Sequence, residues 1–123
     1  MGKRTKEYDL EERLIDFAVG MIDIVEALPG TRAGNHIVGQ LVRCGTSPAA
    51  NYGEAQSAES RRDFIHKMKI ALKELRETRV WLCIILRKSF IKPAARVESG
   101  LSECQELIGI FAKSIVTAES TKG

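Results

Sequence analysis

Apolar side chains recur along most of this chain at alternating intervals of three and four residues, the spacing that places them on one side of an α-helix. In the first segment Asp9 is the predicted N-cap, with Glu12 three residues later in capping-box spacing. Pro29 and Gly30 predict the end of this helix. The apolar row of the segment consists of Leu10, Leu14, Phe17, Met21, Ile24 and Leu28.

The second segment contains "RCGTSPAANYGEAQSAES", eighteen residues without Leu, Ile, Val, Phe or Met. Pro48 after Ser47 fits either the start of a new helix or a kink within one helix. A row of mostly small residues nevertheless continues past the proline, so we expect one kinked helix over about 33–57. That row consists of Ile37, Leu41, Cys44, Pro48, Tyr52 and Ala55.

The third segment predicts the longest helix, because no Gly or Pro interrupts it before Pro93. Ser60 is its predicted N-cap, and about thirty residues of helix would span roughly 45 Å. Arg79 occupies a position in the apolar row, where it either extends to solvent or pairs with a carboxylate such as Glu54. The row consists of Ile65, Met68, Leu72, Leu75, Arg79, Leu82 and Leu86.

The fourth segment has the same pattern, although Ser99 and Gly100 leave its start open. Its row consists of Leu101, Cys104, Ile108, Phe111, Ile115 and Ala118. The links between segments, near 29–32, 58–60 and 90–93, are short, and short links make consecutive helices antiparallel neighbours. The pattern therefore predicts an all-α, up-down-up-down four-helix bundle with a long third helix over residues 9–119. We expect flexible tails at 1–8 and 120–123.

Composition adds little to this prediction of the fold, but the distribution of charge distinguishes the helices from one another. The net charge of the 123-residue chain is +3, and its aromatic content of 6% favours a helical protein. Residues 61–92 carry ten basic and three acidic groups, whereas residues 1–30 carry four basic and seven acidic groups. The third helix is thus strongly basic and the first is acidic. An odd number of cysteines without a signal peptide predicts a reduced, cytoplasmic chain, and no run is long enough to span a membrane.

A polar stripe runs beside the apolar row of the second segment. Arg43, Ser47, Asn51 and Glu54 recur at intervals of four, four and three, with small residues around them. Small residues allow a neighbouring helix to approach closely, and the stripe can then form hydrogen bonds with it. The alternative is a solvated face.

The stretches "GQLVRCGTSPAANYGEA" and "DFIHKMKIALKELRETRVWL" resemble the bacterial four helix bundle protein family, also called the 23S rRNA-intervening-sequence protein family. The similarity covers residues 8 to about 118, and the family's Arg-Ser-x-x-Ser…Asn…Glu pattern falls on Arg43, Ser47, Asn51 and Glu54. Cys44 departs from the more usual Ser. The family is related to the accessory protein of diversity-generating retroelements. The resemblance implies a four-helix protomer assembled into a ring-shaped homopentamer, without enzymatic activity or cofactor, and it suggests binding of RNA or other nucleic acid.

The run "VWLCIIL", residues 80–86, is apolar around the whole circumference of the third helix. Leu82 and Leu86 can face the core of the bundle, whereas Val80, Trp81 and Ile84 then point away from it. A helix that is apolar all round must be buried all round. We therefore expect these three residues at an interface between subunits. The alternative is that helix ends and the link before Pro93 cover them within one chain.

Upstream on the same helix, basic residues form a stripe next to the apolar row. Such a stripe could follow phosphates without reading sequence, and a ring would repeat it. A solvated face is the alternative, and a scaffold that binds proteins without nucleic acid is the corresponding function. The stripe consists of Arg62, Lys69, Lys73, Arg76 and Arg87.

The sequence offers few groups for catalysis. Neither histidine has a ligand partner in metal-site spacing, and no triad or phosphate loop is present. "RRDFIH" places Arg61 and His66 with four residues between them, which resembles the weak R-x4-6-H motif of HEPN ribonucleases. In such an enzyme His66 would assist attack by a 2′-hydroxyl while Arg61 steadies the phosphate.

Overall fold

A computed structural model describes residues 6–120, and the side chains of residues 10–120, as four α-helices. They are α1 (Lys6–Ala27), α2 (Arg32–Gln56), α3 (Arg61–Lys88) and α4 (Ala95–Ser120). The described part of the chain contains no strand. The predicted all-α four-helix fold is confirmed.

The four helices occupy the corners of a square in chain order. Each of α1 and α3 packs against both α2 and α4, and within the described residues no close backbone contact joins α1 to α3. Ion pairs show the antiparallel order: Arg13 pairs with Glu103 near the start of α1, whereas Asp23 near its end pairs with Arg96. Because α1 and α3 lie at opposite corners, their outer sides face in opposite directions.

Helix α2 runs without interruption through Pro48, so the prediction of one helix rather than two is confirmed. Thr31 is its N-cap, and its hydroxyl accepts a hydrogen bond of 3.0 Å from the Gly34 N–H. Gly45 lies against Met21 of α1; a Cβ atom at position 45 would be 2.6 Å from the Met21 Cγ. The absence of a side chain at Gly45 therefore lets α1 and α2 approach closely. Gly53, in the same helix, faces open space.

Helix α3 begins as predicted, because the Ser60 hydroxyl accepts a hydrogen bond of 3.0 Å from the Asp63 N–H. It ends at Ser89, whose φ of 52° is left-handed. The row that it buries differs from the prediction in every second member, and Arg79 is exposed. Arg79 thus extends to solvent, and no carboxylate among the described side chains lies within ion-pair distance of it. The buried row consists of Met68, Ala71, Leu75, Thr78, Leu82 and Ile85.

One predicted helix boundary is wrong, and the structure decides one that the sequence left open. The backbone is already helical at Lys6, so Asp9 lies inside α1 and does not cap it; Lys6, Glu7 and Tyr8 are acceptable helix residues that extend the helix beyond the predicted start. Helix α4 passes through Ser99 and Gly100 without a break. Residues 1–5 and 121–123, which make up most of the predicted tails, lie outside the described residues.

The buried polar groups of the core are paired among the described residues. The rings of Tyr52 and Phe111 meet edge to face across the centre of the bundle, with centroids 5.9 Å apart. The Thr78 hydroxyl donates a hydrogen bond of 2.8 Å to the Glu74 carbonyl one turn earlier, which satisfies the only buried polar residue among those described. Among the described residues, no buried side-chain N or O atom lacks a hydrogen-bond partner.

The contact between Gly45 and Met21 predicts opposite effects for two glycine substitutions in α2. Gly45→Ala should lower the free energy of unfolding by about 1–2 kcal/mol, because overpacking outweighs the gain in helix propensity. The matched control Gly53→Ala should raise it by about 0.5–1 kcal/mol, because no atom opposes the new methyl group. Urea denaturation of both variants measures the difference. Equal stabilisation by the two substitutions would contradict the close approach of α1 and α2.

Candidate functional site

The side of α3 that faces away from the core, here called the α3 outer face, carries the predicted basic stripe. At 100° per residue, its five cations fall within an arc of about 60° that is well separated from the buried row. All five residues are exposed: Arg62, Lys69, Lys73, Arg76 and Arg87. Burial of the opposite side of α3 fixes the orientation of the helix about its axis, and this orientation places all five cations on one exposed surface.

Most of these cations lack an acidic partner. Lys69 pairs with Glu119 of α4 at 2.9 Å. Among the described side chains, none of the other four lies within ion-pair distance of a carboxylate. Their charge is thus free to attract an anionic ligand.

The three residues predicted at a subunit interface do not share one surface. Val80 and Ile84 lie on the α3 outer face and are 46% and 37% exposed. Trp81 lies on the side of α3 next to α2, half-buried, with its ring edge to face with His36 at 5.8 Å. Its indole N–H donates a hydrogen bond of 3.1 Å to Glu77 Oε2. Val80 and Ile84 therefore form an apolar centre within the basic face, and Trp81 contributes to packing between α2 and α3.

The polar stripe of α2 borders the contact with α3, and its two ends cross to that helix. Arg43 donates to Glu74 Oε1 at 3.0 Å and to Glu77 Oε2 at 2.7 Å. The charge of Glu77, followed by that of Glu74, raises the pKa of Arg43. These contacts hold the two carboxylates of α3 on the α2 side, away from the α3 outer face.

The remainder of the stripe makes one more contact with α3 and one within α2. Glu54 accepts a hydrogen bond of 2.6 Å from Lys67, which raises the pKa of Lys67. The Asn51 amide donates to the Ser47 carbonyl at 3.2 Å, one turn earlier in the same helix. The stripe thus aligns α2 with α3, and its two neutral members remain within α2.

A second exposed apolar row, which was not predicted from the sequence, lies on α1. Ile15, Val19 and Ile22 are 44%, 53% and 43% exposed and lie on the side away from the core, here called the α1 outer face. Acidic residues flank them: Glu11 and Glu12 precede the row and Glu26 follows it. The spacing of four and three residues was visible in the sequence, but the stronger core row of the same helix obscured it.

The described residues offer no recognisable catalytic centre. No group of three metal-ligating side chains occurs among them. Burial raises the pKa of Cys104 to about 12 and also raises that of Cys44, so both thiols stay protonated at neutral pH. The Cys104 thiol donates a hydrogen bond to the Leu75 carbonyl at 3.2 Å, deep in the core. Neither thiol is available as a nucleophile.

The two residues of the ribonuclease-like motif lie on different sides of α3. A separation of five positions corresponds to about 140° around a helix. His66 is exposed on the α3 outer face, whereas Arg61 lines a shallow cleft with Ile65 and Ala118, next to α4. The structure therefore does not bring the two side chains to one point where they could share a phosphate.

The fold and the surfaces together define a helical bundle with one outward basic face and no recognisable catalytic centre among its described residues. The sequence model of the 23S rRNA-intervening sequence protein family matches residues 6–113, and the chain belongs to this family. A crystal structure of a protein of unknown function from the S23 ribosomal protein family of Bacteroides thetaiotaomicron is similar. It shows 33% identity and a TM-score of 0.78 over 86% of this chain and 97% of that chain. A search of curated proteins found no match. None of the described helices is long and apolar enough to cross a bilayer.

The burial of Cys44 and Cys104 predicts the order in which the three thiols react with alkylating agents. At pH 8 the folded protein should react with iodoacetamide first at half-buried Cys83. With a pKa of about 12, only about one Cys104 thiol in ten thousand is ionised at this pH. Peptide mass spectrometry before and after addition of denaturant measures the order, and all three residues should react in the unfolded control. Reaction of Cys104 as fast as Cys83 in the folded protein would show that the core is open.

Proposed function

We propose that this protein is a non-enzymatic, self-assembling bundle that binds RNA or DNA through phosphate contacts on the α3 outer face. The observation that carries the proposal is the set of four cations without acidic partners, Arg62, Lys73, Arg76 and Arg87, on one side of a single helix. From residue 62 to residue 87 the helix rises by about 37 Å, a length over which several successive phosphates can be contacted.

The chemistry of the face supports phosphate recognition without sequence readout. Its cations are Arg and Lys and its exposed apolar residues are aliphatic, so the imidazole of His66 is the one ring among the described side chains of this face that could stack on a base. Binding should therefore depend strongly on salt and weakly on sequence. The relation to 23S rRNA-intervening sequence proteins is consistent with an RNA ligand. The family description itself does not say what the members bind.

A nucleic-acid titration with matched variants tests the proposal. Arg62→Glu with Lys73→Glu should raise the Kd for labelled single-stranded RNA at least about tenfold and should lower the slope of log K against log salt by roughly 1.4. Fluorescence anisotropy at several salt concentrations measures both quantities.

The control variant changes the net charge equally but on other surfaces. Arg32→Glu with Lys113→Glu, both exposed and on α2 and α4, should leave binding within about threefold of wild type, because total charge acts weakly at a distance in salt. Equal loss of binding in the two variants, or no binding by wild type at low salt, would contradict a phosphate site on the α3 outer face.

Self-assembly is the second part of the proposal, and Val80 and Ile84 support it. Two adjacent aliphatic side chains at the centre of a charged face are typical of an interface core surrounded by a polar rim. This arrangement also favours the second candidate function, a protein-binding scaffold that has no nucleic-acid ligand. The resemblance to the family suggests a ring-shaped homopentamer, and the three free cysteines favour a cytoplasmic location.

Light scattering of the purified wild-type protein measures its assembly. We expect a mass that is a multiple of the 13.6 kDa chain, five-fold for a pentamer, at micromolar concentration. The mass should not change with moderate salt, because apolar contacts contribute alongside the charges. A mass of one chain throughout would contradict self-assembly.

A further inference from the structure

We propose that the α1 outer face of one molecule docks on the α3 outer face of a second copy of this chain. This inference rests on the self-assembly proposed above and names the two surfaces that would carry it. Four observations support the proposal: the exposed apolar row on each face, the layout of each face, the opposite sign of their charges and their position in the bundle.

Each face has an apolar centre that the single bundle leaves uncovered. On α1 the centre is Ile15, Val19 and Ile22, spaced at four and three residues and all more than two-fifths exposed. On α3 it is Val80 and Ile84, one helical turn apart. Two such rows on two helices have the spacing at which helices pack side by side.

The two faces have the same layout with opposite charges. On α3, Arg76 precedes the apolar pair by four residues and Arg87 follows it by three. On α1, Glu11 and Glu12 precede the apolar row and Glu26 follows it by four residues. When the apolar centres meet, cations and carboxylates come together at both ends, whichever way the helices run. Arginine is also enriched in interfaces between proteins.

Charge also argues against pairing of either face with itself. Two α1 outer faces would place carboxylates against carboxylates, and two α3 outer faces would place arginines against arginines. Like charges across an interface are costly, whereas opposite charges favour the correct partner. The acidic α1 and the basic α3 thus select each other among copies of one chain.

The position of the faces explains how such contacts could lead to a ring. Because α1 and α3 occupy opposite corners of the bundle, one molecule can use both faces at once, each with a different neighbour. Contacts between unlike faces run head to tail, and they close into a ring when the rotation between neighbours permits. The contacts proposed here bring Arg76 and Arg87 into the interface, so in the assembly a nucleic-acid ligand would be contacted by Arg62 and Lys73, with Lys69 beside them, in the first half of α3.

A mixing experiment distinguishes this arrangement from other interfaces. Variant one carries Val80→Gln and Ile84→Gln on α3, and variant two carries Ile15→Gln and Val19→Gln on α1. All four positions are more than a third exposed, so the substitutions should leave the bundle folded, as circular dichroism can verify. We expect each variant alone to have the mass of a single chain at micromolar concentration. A 1:1 mixture should form a dimer and nothing larger, because each variant keeps one intact face.

The matched control is Val116→Gln on the outer side of α4. The Val116 side chain is 64% exposed and takes no part in the proposed contact. It should keep the mass of wild type. Variants that keep the wild-type mass, or a mixture that remains monomeric, would overturn the pairing of α1 with α3 while leaving self-assembly intact. A monomeric wild type would overturn self-assembly itself, so the two failures differ.

A charge exchange provides a second test that does not alter the apolar rows. Arg76→Glu with Arg87→Glu should dissociate the assembly at low salt, because the two faces then repel each other. Adding Glu12→Arg and Glu26→Arg to the same chain should restore the mass of wild type. Failure of the second pair to restore assembly would contradict direct contact between the two charged rims.

Discussion

The rotation of α3 about its own axis is the constraint on which the other features depend. Six small and medium side chains, from Met68 to Ile85, are buried against the neighbouring helices, and each buried aliphatic side chain contributes about 1.5–3 kcal/mol. Their burial fixes which side of the helix meets solvent. The same rotation directs the basic residues outward, together with Val80 and Ile84. Contacts of Arg43 keep Glu74 and Glu77, two of the three acidic residues of α3, on the side next to α2.

Much of the bundle could be predicted from the sequence, since three-four spacing determines which residues share a side of a helix. The buried rows of α1 and α2 match the predicted rows closely, and the link lengths gave the antiparallel order. On α3 the prediction erred by one residue in alternate positions. Ala71 precedes Leu72 and Ile85 precedes Leu86, so apolar residues occupy both candidate rows, and spacing alone cannot choose between them. The packing of α3 against the neighbouring helices determines which of the two rows is buried. In the bundle Thr78 is fully buried, whereas Arg79 is exposed to solvent.

The candidate surfaces were predictable only in part, for the same physical reason. The basic stripe was visible because charges repeat on one side of a helix whatever its exact rotation. Trp81 was grouped with Val80 and Ile84 because a continuous apolar run carries no information about direction. In the structure these residues lie on different sides of α3. Trp81 packs against His36 of α2, whereas Val80 and Ile84 face outward. The row on α1 could be recognised only after the core row of that helix was known.

The bundle thus combines a conventional core with two outer surfaces of opposite charge at opposite corners. If copies join through these surfaces, the apolar half of α3 serves assembly and its first half remains available for phosphates. Native mass spectrometry of the wild-type protein, with and without a short single-stranded RNA, tests this division directly. We expect an assembly whose mass is a multiple of the 13.6 kDa chain, which gains the mass of RNA and keeps all its subunits. Loss of subunits when RNA binds would contradict it, because assembly and phosphate binding would then compete for the same residues.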